Sequence, residues 1–418
     1  MAARHATRIT VVGLNYAPEP TGIAPYTTGI CEALSARGHD VTAVTGLPHY
    51  PQWKIQGSEP RTEVRNGVAL RRVRHYVPKR PFGLRRVRLE VSFGIRSLFR
   101  SWNKPESLVF VSPALLSTLI GTIKARVLGI SYSVWVQDIY SLGIKQVSTS
   151  RLAQLLSRVE RSVLKNADQV VVIHDRFRRY ISTELDVPHS RIRVVRNWSH
   201  VAPQVPTKNA TRSVRESYGW KDNDVVVVHA GNMGAKQGLI NVIDASRIAA
   251  ERGSAVRFAF VGDGNMREML EQDAVGVNVQ FIDPLPVEQF DTLLASADVL
   301  LVSEVPGLTE MSVPSKLTTY FATGVPVLAS VSASSVTADE MVAAGAGPRV
   351  DPDDPKALVD AAEWLARTDT DARARFGLSA QRYCRSVLSD HTAIDSLENL
   401  LISSRTPGNP VIGIPVTR

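Results

Sequence analysis

Residues Val225–Gly238, VVVVHAGNMGAKQG, combine a run of valines with a glycine-rich turn and one lysine. The valines suit a strand that is buried on both faces, as in a parallel sheet. Gly231 and Gly234 permit a bend and a close approach of the backbone to a ligand. The free amides of the helix start that follows, together with Lys236, suit a phosphate or diphosphate. The segment therefore predicts an anion site at a strand-to-helix turn.

A second lysine in a comparable position is Lys316, within the stretch EMSVPSKLTTYFATG. Pro314 suits a helix start and places Lys316 in the first turn of the helix. A lysine there opposes the helix dipole, so an anion bound at the same place explains it better than a surface position does. Lys316 is therefore a second candidate ligand for a diphosphate.

Two further glycine-bearing turns follow predicted strands. Gly262 and Gly264 end the stretch FVGDG, and Gly22 follows two prolines near the start of the chain. A glycine pair of this kind lets a ligand approach a strand end, but it equally marks a tight turn without a ligand. The Gly22 loop is open to the same two interpretations, as a loop over a donor phosphate or an acceptor, or as a plain strand-to-helix turn.

Candidate acid–base residues occur in the first half of the chain. Asp138 ends the apolar stretch VWVQD, where a carboxylate could orient or deprotonate an acceptor hydroxyl. The alternative is an aspartate that caps the following helix. His49, in PHYP after the second predicted strand, is another catalytic candidate.

The elements that must position these residues alternate between strand and helix patterns in both halves of the chain. Such alternation predicts parallel sheets with helices on both faces, and ligands in such folds bind at the carboxyl ends of the strands. The first elements expected are a strand at Arg8–Tyr16 and a helix at Gly22–Arg37. The predicted organisation is an N-terminal domain (1–200), a proline-bearing linker (201–212), a C-terminal domain (213–385), and a C-terminal helix and loosely ordered tail (386–418) that packs back toward the N-terminal domain.

Composition places the chain among globular proteins. It has 418 residues, of which 44% are hydrophobic and 21% charged. The sequence contains no run of about 18 apolar residues, so no membrane-spanning helix is predicted. The N-terminus has no signal-peptide core. The two cysteines suggest neither a metal site nor a disulfide framework. These features predict a cytoplasmic protein.

The net charge of +9 is concentrated in one segment, between Arg71 and Lys104, where Glu90 is the only acid. Apolar residues, among them Phe93, Phe99 and Trp102, are interleaved with the cations. Such a pattern is typical of a basic amphipathic segment on an anionic membrane, here the inner face of the cell membrane. The alternative is a solvated charged face over an ordinary core helix. The membrane interpretation assigns the contact to three arginines: Arg85, Arg86 and Arg88. Since no recognition motif for nucleic acid occurs, no nucleic-acid partner is expected.

Taken in order, five stretches resemble a known family: NYAPEPTGIAPYTTGICEALSARGHDVTAVTGLPHYP, VRNW, GNMGAKQGL, FVGDGNMREML and VPSKLTTYFATGVPVLAS. The chain resembles the family 4 glycosyltransferases of the GT-B fold, in particular the branch that builds colanic-acid, capsule and O-antigen repeat units. The resemblance extends from about Ile9 to Leu400. It implies an α/β protein of two doubly wound Rossmann-like domains with an interdomain cleft. By the same resemblance, the N-terminal domain (1–200) binds the acceptor and the C-terminal domain (213–385) binds the nucleotide sugar.

The resemblance also implies an activity: transfer of a sugar, with retention, from a UDP- or GDP-linked donor to a lipid-linked or other saccharide acceptor. No metal or other cofactor is expected, because lysines and helix N-termini neutralise the leaving diphosphate. The residues implied to bind the donor are Gly22, Gly231, Asn232, Gly234, Lys236, Gln237, Gly262, Gly264, Glu310, Ser315, Lys316 and Leu317. Where many relatives carry two glutamates eight positions apart, this chain has Met311 and Thr319, so Glu310 is only a candidate replacement.

Two other functions compete with sugar transfer. A non-hydrolysing nucleotide-sugar epimerase shares the fold, but it needs several carboxylates around the sugar, and the sequence offers no such cluster. A non-catalytic scaffold in a polysaccharide-assembly complex is the other alternative, and the altered glutamate pair favours it. Nucleotide-sugar affinity separates the scaffold from both enzymes.

Overall fold

The computed structural model describes residues 6–20, 22–57, 59–79, 83–112, 114–145, 151–198, 206–308 and 315–403. The chain divides into two compact units, which are called unit 1 (1–197 with 391–418) and unit 2 (198–390). Each unit is a sheet covered by helices.

Unit 1 is built on a sheet of eight strands. Its strands are β1 (Arg8–Val12), β2 (Asp40–Gly46), β3 (Thr62–Arg65), β4 (Val68–Val73), β5 (Ser107–Ser112), β6 (Tyr132–Val136), β7 (Gln169–Val172) and β8 (Ile192–Val194). Its helices are α1 (Ala24–Ala36), α2 (Leu84–Leu98), α3 (Leu115–Val127), α4 (Tyr140–Lys145), α5 (Arg151–Lys165) and α6 (Asp175–Thr183), with a short 3₁₀ turn at His189–Arg191.

The strand order of unit 1 is β3-β4-β2-β1-β5-β6-β7-β8. All pairs are parallel except β3 with β4, which is antiparallel. The order runs one way from β1 to β2 and the other way from β1 to β5, so the topological switch point lies between β1 and β5. Ligands in such sheets bind outside the carboxyl ends of the strands at that point.

Unit 2 repeats the same architecture on a smaller scale. Its helices are α7 (Lys208–Ser217), α8 (Leu239–Glu251), α9 (Arg267–Asp273), α10 (Val287–Ser296), α11 (Ser315–Thr323), α12 (Val336–Ala344), α13 (Pro355–Arg367) and α14 (Thr370–Val387), with a 3₁₀ turn at Ala235–Gln237. Its strands are β9 (Val225–Ala230), β10 (Val256–Val261), β11 (Val279–Ile282), β12 (Val299–Ser303), β13 (Val327–Ser330) and β14 (Arg349–Val350).

The strand order of unit 2 is β11-β10-β9-β12-β13-β14, and every pair is parallel. Core residues cover both faces of this sheet: Val226 and Val228 face one cluster, and Val227 faces the other. The prediction that the valine run is a strand buried on both faces is confirmed. The switch point lies between β9 and β12, so the predicted glycine turn sits at the place where this fold binds ligands.

The last helix, α15 (Asp390–Ser403), belongs to unit 1 from His391 onward. Arg37, after α1, forms an ion pair with the buried Glu398 and lies 2.7 Å from Asp395. His39 Nε2 lies 3.0 Å from Glu398 Oε1, and His39 Nδ1 accepts a hydrogen bond of 3.2 Å from the Thr7 N–H. A helix that follows unit 2 in the chain is thereby fixed to unit 1.

Several predicted boundaries are wrong. The first strand ends at Val12, and the first helix begins at Ala24, without a side-chain cap. The predicted linker includes the start of a helix, because the Thr207 side chain accepts a hydrogen bond from the Ala210 N–H and caps α7 at Lys208. Residues 201–205 and the predicted loose tail lie outside the described residues.

Candidate functional site

The glycine turn after β9 is the centre of the candidate site in unit 2. Gly231 has a positive φ of 117° and donates its N–H to the Val261 carbonyl over 2.8 Å. Farther along, Met233 donates to the Asp263 carbonyl over 2.9 Å. The turn after β9 is therefore held edge to edge against the turn after β10.

The glycines of the second turn have a structural reason that the sequence did not show. A Cβ on Gly262 would lie 2.3 Å from the Gly231 carbonyl oxygen, and one on Gly264 would lie 2.4 Å from the Met233 carbonyl oxygen. The backbone of the neighbouring turn, and not a ligand, requires glycine at these two positions. Their assignment to donor binding stays a prediction.

Lys316 brings a cation to the same turn. It lies in the first turn of α11, and its Nζ is 3.1 Å from Nε2 of His229 on β9. A Cβ on Gly231 would meet Lys316 Cε at 3.9 Å and Nζ at 4.0 Å. Although part of the side chain is accessible, burial of the ammonium lowers the pKa of Lys316 to about 7, against a raising effect of Glu304.

A buried carboxylate completes this cluster. Glu304 follows β12, is 8% exposed and accepts a hydrogen bond from the Thr337 hydroxyl. Burial raises the pKa of Glu304, while the hydrogen bond from Thr337 and the charge of Lys316 lower it in part. His229 on β9 and the charge of Glu304 after β12 thus both act on the Lys316 ammonium of α11, at the switch point of the sheet.

Helix α11 is fixed to β9 by a tyrosine. The Tyr320 hydroxyl accepts a hydrogen bond of 2.8 Å from the Ala230 N–H and lies 3.3 Å from the Ala230 carbonyl. Because Tyr320 is one turn after Lys316 and is 1% exposed, it sets the distance between α11 and the glycine turn.

The other donor residues predicted in unit 2 differ in exposure and in what they contact. Gln237 holds the turn itself, because its Oε1 accepts hydrogen bonds from the Gly234 N–H at 3.0 Å and from Asn232 Nδ2 at 3.4 Å. Lys236 is exposed and lies in the 3₁₀ turn directly before α8, so it is beside the predicted helix start, which the structure places at Leu239. Leu317 is fully buried in the core, so only its main chain could face a ligand.

Two predicted donor residues cannot be placed. Glu310 lies outside the described residues, and the structure gives only the backbone of Ser315, at the start of α11.

In unit 1, Gly22 is exposed at a positive φ of 69°, where a Cβ would meet the Tyr50 ring at 3.1 Å. The loop of Tyr50 is held by Glu19, whose Oε1 accepts from the N–H groups of His49 at 2.7 Å and Tyr50 at 2.9 Å. Burial alone would raise the pKa of Glu19, but the hydrogen bonds from His49 and Tyr50 and the charge of His49 lower it overall.

His49 is buried, which differs from the open position that a catalytic residue needs. It is 1% exposed, its Nδ1 lies 3.0 Å from the Leu47 carbonyl, and its Nε2 has no hydrogen-bond partner among the residues that the structure describes. The ring lies 4.7 Å from the ring of His75, between centroids. The catalytic role of His49 stays a prediction that this placement does not support.

Asp138 is exposed and directly follows Gln137, just past the end of β6. Gln137 itself is 6% exposed, and its Oε1 accepts a hydrogen bond of 2.8 Å from Asn197 Nδ2. The exposed carboxylate at a strand end has the accessibility that contact with a hydroxyl requires. A catalytic role for Asp138 stays a prediction.

The basic segment forms helix α2 and the strands and loops beside it. Arg85 and Arg88 are exposed, and Arg88 stacks over the Tyr76 ring at 4.4 Å. Arg86 differs from them: it turns inward and donates from Nε to the fully buried Glu90 over 2.7 Å. Arg86 is therefore part of the fold of unit 1, and its assignment to a membrane face is wrong.

The apolar residues of the segment also divide. Phe93 is 1% exposed and Trp102 is 3% exposed, so the prediction that they enter a membrane is wrong. Phe99 is 84% exposed, and Leu84 and Ile95 are exposed on the same helix. One side of α2 is thus an ordinary core side, as the alternative predicted, and its other side exposes both charged and apolar residues.

Sequence reasoning missed His229, Glu304, Tyr320 and Glu19. A histidine within a buried valine strand was the available signal, because a buried polar group needs a partner. Its partner, Lys316, is 87 residues away, which the sequence does not reveal.

Within the described residues, no group of three or more His, Cys, Asp or Glu side chains is arranged to hold a metal ion. A search of the same part of the chain finds no helix long and apolar enough to cross a membrane.

Two family descriptions match the chain: a glycosyl transferase 4-like domain over residues 21–198 and a glycosyl transferases group 1 domain over residues 224–368. The chain is 33% identical over 335 residues to the putative colanic acid biosynthesis glycosyl transferase WcaI of Escherichia coli (strain K12), covering 76% of this chain and 81% of that protein. It is 24% identical over 294 residues to the probable glycosyltransferase WbjE of Pseudomonas aeruginosa, covering 69% and 72%.

Among solved structures, Anabaena Alr3699/HepE in complex with UDP is similar with a TM-score of 0.68 at 15% identity, over 94% of this chain and 100% of that one. This likeness shows a GT-B fold, which confirms the predicted fold class. The fold and the family matches together define a glycosyltransferase. The chain belongs to the family of GT-B glycosyltransferases with 4-like and group 1 domains, as the resemblance predicted, and it is an enzyme of the hexosyltransferase type.

Proposed function

We propose that this glycosyltransferase moves a sugar from a UDP- or GDP-linked donor to a lipid-linked saccharide in cell-surface polysaccharide biosynthesis. The observation that carries the proposal is the Lys316 ammonium beside the Gly231 turn at the switch point of unit 2. The names of two similar proteins support it: WcaI is described as a colanic acid biosynthesis enzyme, and HepE has been solved with UDP and with UDP-glucose.

The chemistry required at such a site is neutralisation of the leaving nucleoside diphosphate. A lysine fixed in a partly dry site stabilises developing negative charge far better than it would in water. Lys316 supplies that charge without carboxylate ligands, so the proposed transfer is independent of metal. Retention is proposed from the resemblance to family 4 glycosyltransferases. Asp138 is proposed to orient the acceptor hydroxyl.

A donor screen by thermal shift tests the donor side, because a ligand that binds the folded state raises its stability by mass action. The melting temperatures of wild type, Lys316→Met and the control Lys221→Met are measured with UDP, GDP, UDP-glucose and GDP-mannose. Lys221 is an exposed lysine of the same unit. We expect stabilisation by at least one nucleotide, lost in Lys316→Met and kept in the control. Equal stabilisation of all three proteins would place the donor elsewhere.

The products separate the competing functions. A transferase consumes the nucleotide sugar only with a lipid-linked acceptor extracted from the source cells, whereas an epimerase converts it alone, and a scaffold binds neither. Under the proposal, transfer continues in excess chelator. Activity that disappears in chelator and returns with magnesium would contradict metal independence.

The membrane part of the proposal rests on one surface of unit 1. On α2, Arg85, Arg88 and Arg96 are exposed together with Leu84 and Phe99. This surface is called the basic apolar face. Each cation near an anionic leaflet is worth about 1 kcal/mol, and apolar side chains add to this by entering the interface.

Helix α3 extends the basic apolar face. Lys124 Nζ donates to the carbonyls of Leu98 at 2.8 Å and Arg100 at 2.7 Å, which fixes the end of α3 beside the end of α2. Val127, at the end of α3, is 80% exposed, and Leu128 after it is 54% exposed. Three exposed apolar residues thus lie near one another around the ends of two helices, beside the cations of α2.

Vesicle sedimentation tests this part. The variant Arg85→Glu with Arg88→Glu should bind anionic phosphatidylserine vesicles at least about 30-fold more weakly, because two cations of about 1 kcal/mol each are lost. The control Lys208→Glu with Lys221→Glu makes the same charge change at exposed positions of unit 2. High salt should weaken wild-type binding as well. Equal binding by both double variants would remove the membrane proposal and leave the donor proposal intact.

A further inference from the structure

His229 lies inside the central strand of the unit 2 sheet, yet its ring reaches the donor site. The residue is 0% exposed, and its Nε2 is 3.1 Å from Lys316 Nζ. We propose that His229 is a positioning residue: it accepts a hydrogen bond from Lys316 and holds that ammonium beside the Gly231 turn. The inference rests on the proposed function, because it takes Lys316 as the ligand of the donor diphosphate.

The direction of this hydrogen bond follows from the chemistry of the two groups. An ammonium has three donors and no acceptor, so the imidazole nitrogen that faces it must offer a lone pair. Burial, followed by the charge of Lys316, lowers the pKa of His229 well below its ordinary value. The ring is therefore neutral and can accept at Nε2.

The ring of His229 has little freedom to turn away. It packs edge to face against Phe260 on the neighbouring strand β10, with 6.0 Å between the ring centroids. His229 and Phe260 are paired residues in the register of the two parallel strands. A histidine fixed in this way restricts the end of a lysine side chain that has four rotatable bonds and otherwise many rotamers.

The place at which the ammonium is held matters for a ligand. The Cα of Gly231 carries no side chain, and the position that a Cβ would take is 3.9 Å from Lys316 Cε and 4.0 Å from Nζ. A diphosphate in the turn could therefore approach both the main chain and the cation. Without the acceptor at His229, the ammonium would be free to turn toward the Glu304 carboxylate, whose charge raises the pKa of Lys316.

The same contact controls the charge of Lys316. Burial lowers the pKa of Lys316 to about 7, so the ammonium is near its titration midpoint at neutral pH. A neutral acceptor stabilises the charged form, as does Glu304 after β12, and a bound diphosphate would stabilise it further. Donor affinity should then be constant below about pH 7 and fall as the pH rises above it, because the free site must take up a proton to bind.

The experiment compares three variants with wild type by calorimetric titration from pH 6 to 9. UDP-glucose and GDP-mannose are the probes, because they lack the terminal phosphate monoester whose second pKa of about 6 would complicate the profile. His229→Leu removes the acceptor, His229→Gln keeps an amide acceptor, and Leu365→Ala disturbs the core of the same unit on α13 while leaving His229 and Phe260 unchanged.

In His229→Leu we expect an affinity about tenfold lower at pH 7, the size of one charge-assisted hydrogen bond. The pH at which affinity begins to fall should also move to lower values, because the uncompensated lysine loses its proton more easily. His229→Gln should recover most of the affinity. Leu365→Ala should lower the melting temperature without moving the pH profile.

Three outcomes overturn the inference and remain distinguishable. If His229→Leu keeps the wild-type affinity and pH profile while Lys316→Met loses binding, His229 only fills the core. Unchanged binding in Lys316→Met would overturn the proposed donor site itself. Wild type that binds neither probe would contradict the proposed donor class.

Discussion

The two units satisfy the charges buried at the carboxyl edges of their sheets in different ways. In unit 1, three buried carboxylates each accept hydrogen bonds from main-chain N–H groups: Glu19 from His49, Glu90 from Leu116 and Glu160 from Tyr140, at 2.7 to 2.9 Å. In unit 2, the Lys316 ammonium is buried under the influence of the Glu304 carboxylate, and its hydrogen-bond partner is a neutral imidazole.

This difference separates a structural use of buried charge from one that suits a ligand. A carboxylate that accepts several main-chain hydrogen bonds is satisfied, and its work is to hold a loop. An ammonium with one neutral partner still has two donors to offer, which an anion can use. The comparison therefore assigns anion binding to unit 2 and loop construction to the carboxylates of unit 1.

The largest effect on donor affinity is expected at Gly262, where the backbones of two turns of unit 2 are in contact. In Gly262→Ala, the new Cβ would lie 2.3 Å from the Gly231 carbonyl oxygen, at a positive φ of 127°. Something must shift, so the turn that carries Gly231 should move and donor affinity should fall at least about 100-fold, beyond the loss of a single hydrogen bond. Calorimetric titration with UDP-glucose and GDP-mannose measures this.

The matched control is Gly253→Ala, which has a positive φ of 62° in the same unit but nothing within 4 Å of the new Cβ. It should cost stability through backbone strain and leave donor affinity unchanged. Equal affinities in both variants would show that the contact between the two turns does not shape the site.

The second effect is a pH dependence confined to unit 1. Burial, with the charge of His49 next, lowers the pKa of His75 from 6.5 to about 4, and its Nε2 is buried without a hydrogen-bond partner. Because the folded pKa is the lower one, the unfolded chain binds more protons between these values. Stability should therefore fall as the pH falls from 6.5 to 4, by at most about 3 kcal/mol.

Denaturant unfolding of wild type and His75→Leu between pH 4 and 8, followed by hydrogen exchange of unit 1 peptides, measures this dependence. The variant should show a flatter profile between pH 4 and 6.5. His189→Leu, at an exposed position of the same unit, should keep the wild-type profile. A variant profile as steep as that of wild type would assign the acid sensitivity to other groups.

The two units also differ in how well the sequence predicted the positions of their residues. The valine strand, the glycine turn and Lys316 at a helix start follow local rules of burial, backbone freedom and charge, so they could be predicted. On α2, Leu89 and Phe93 are four residues apart and face inward together, a spacing that indicates a core side. That spacing was available, and it would have separated Phe93 from a membrane face.

Other features could not be predicted because they depend on contacts between distant residues. Trp102 is buried because its ring packs against Phe110 on β5, with 5.9 Å between centroids, and no periodicity reports that contact. The need for glycine at position 262 comes from the Gly231 carbonyl, 31 residues earlier in the chain. Tertiary packing decides these positions, and local patterns do not contain it.

A third, smaller effect concerns the C-terminal helix. Glu398 is 3% exposed and joins α15 to Arg37 and His39. Since Arg37 keeps 23% of its side chain exposed, water can solvate it in Glu398→Ala, and we expect a loss of about 2 kcal/mol, below the usual cost of breaking a fully buried pair.

Hydrogen exchange of the peptide that covers α15 reports this loss directly, because local opening follows local stability. The control Asp395→Ala removes the more exposed partner of Arg37, at 42% side-chain exposure, and should cost no more than a few tenths of a kcal/mol. Faster exchange of α15 in the control than in Glu398→Ala would show that the buried carboxylate is not what holds the helix.

The smallest effect is expected at Lys236, which the sequence placed on a par with Lys316. Both lysines follow turns at the carboxyl edge of unit 2, but Lys236 is exposed, whereas the ammonium of Lys316 is buried against His229. The Lys236 carbonyl accepts a hydrogen bond from the Val305 N–H at 3.0 Å, and a substitution of the side chain leaves that main-chain bond in place. An exposed charge is screened by water and salt, so Lys236→Met should weaken donor binding by no more than about threefold, against about tenfold or more for Lys316→Met.

Titration of both variants with the same nucleotide sugar at 0.05 M and 0.5 M salt distinguishes them further: the contribution of Lys236 should vanish at high salt, and that of Lys316 should persist. Equal and salt-insensitive losses in the two variants would place both lysines against the diphosphate and would remove the distinction between buried and exposed cations at this edge.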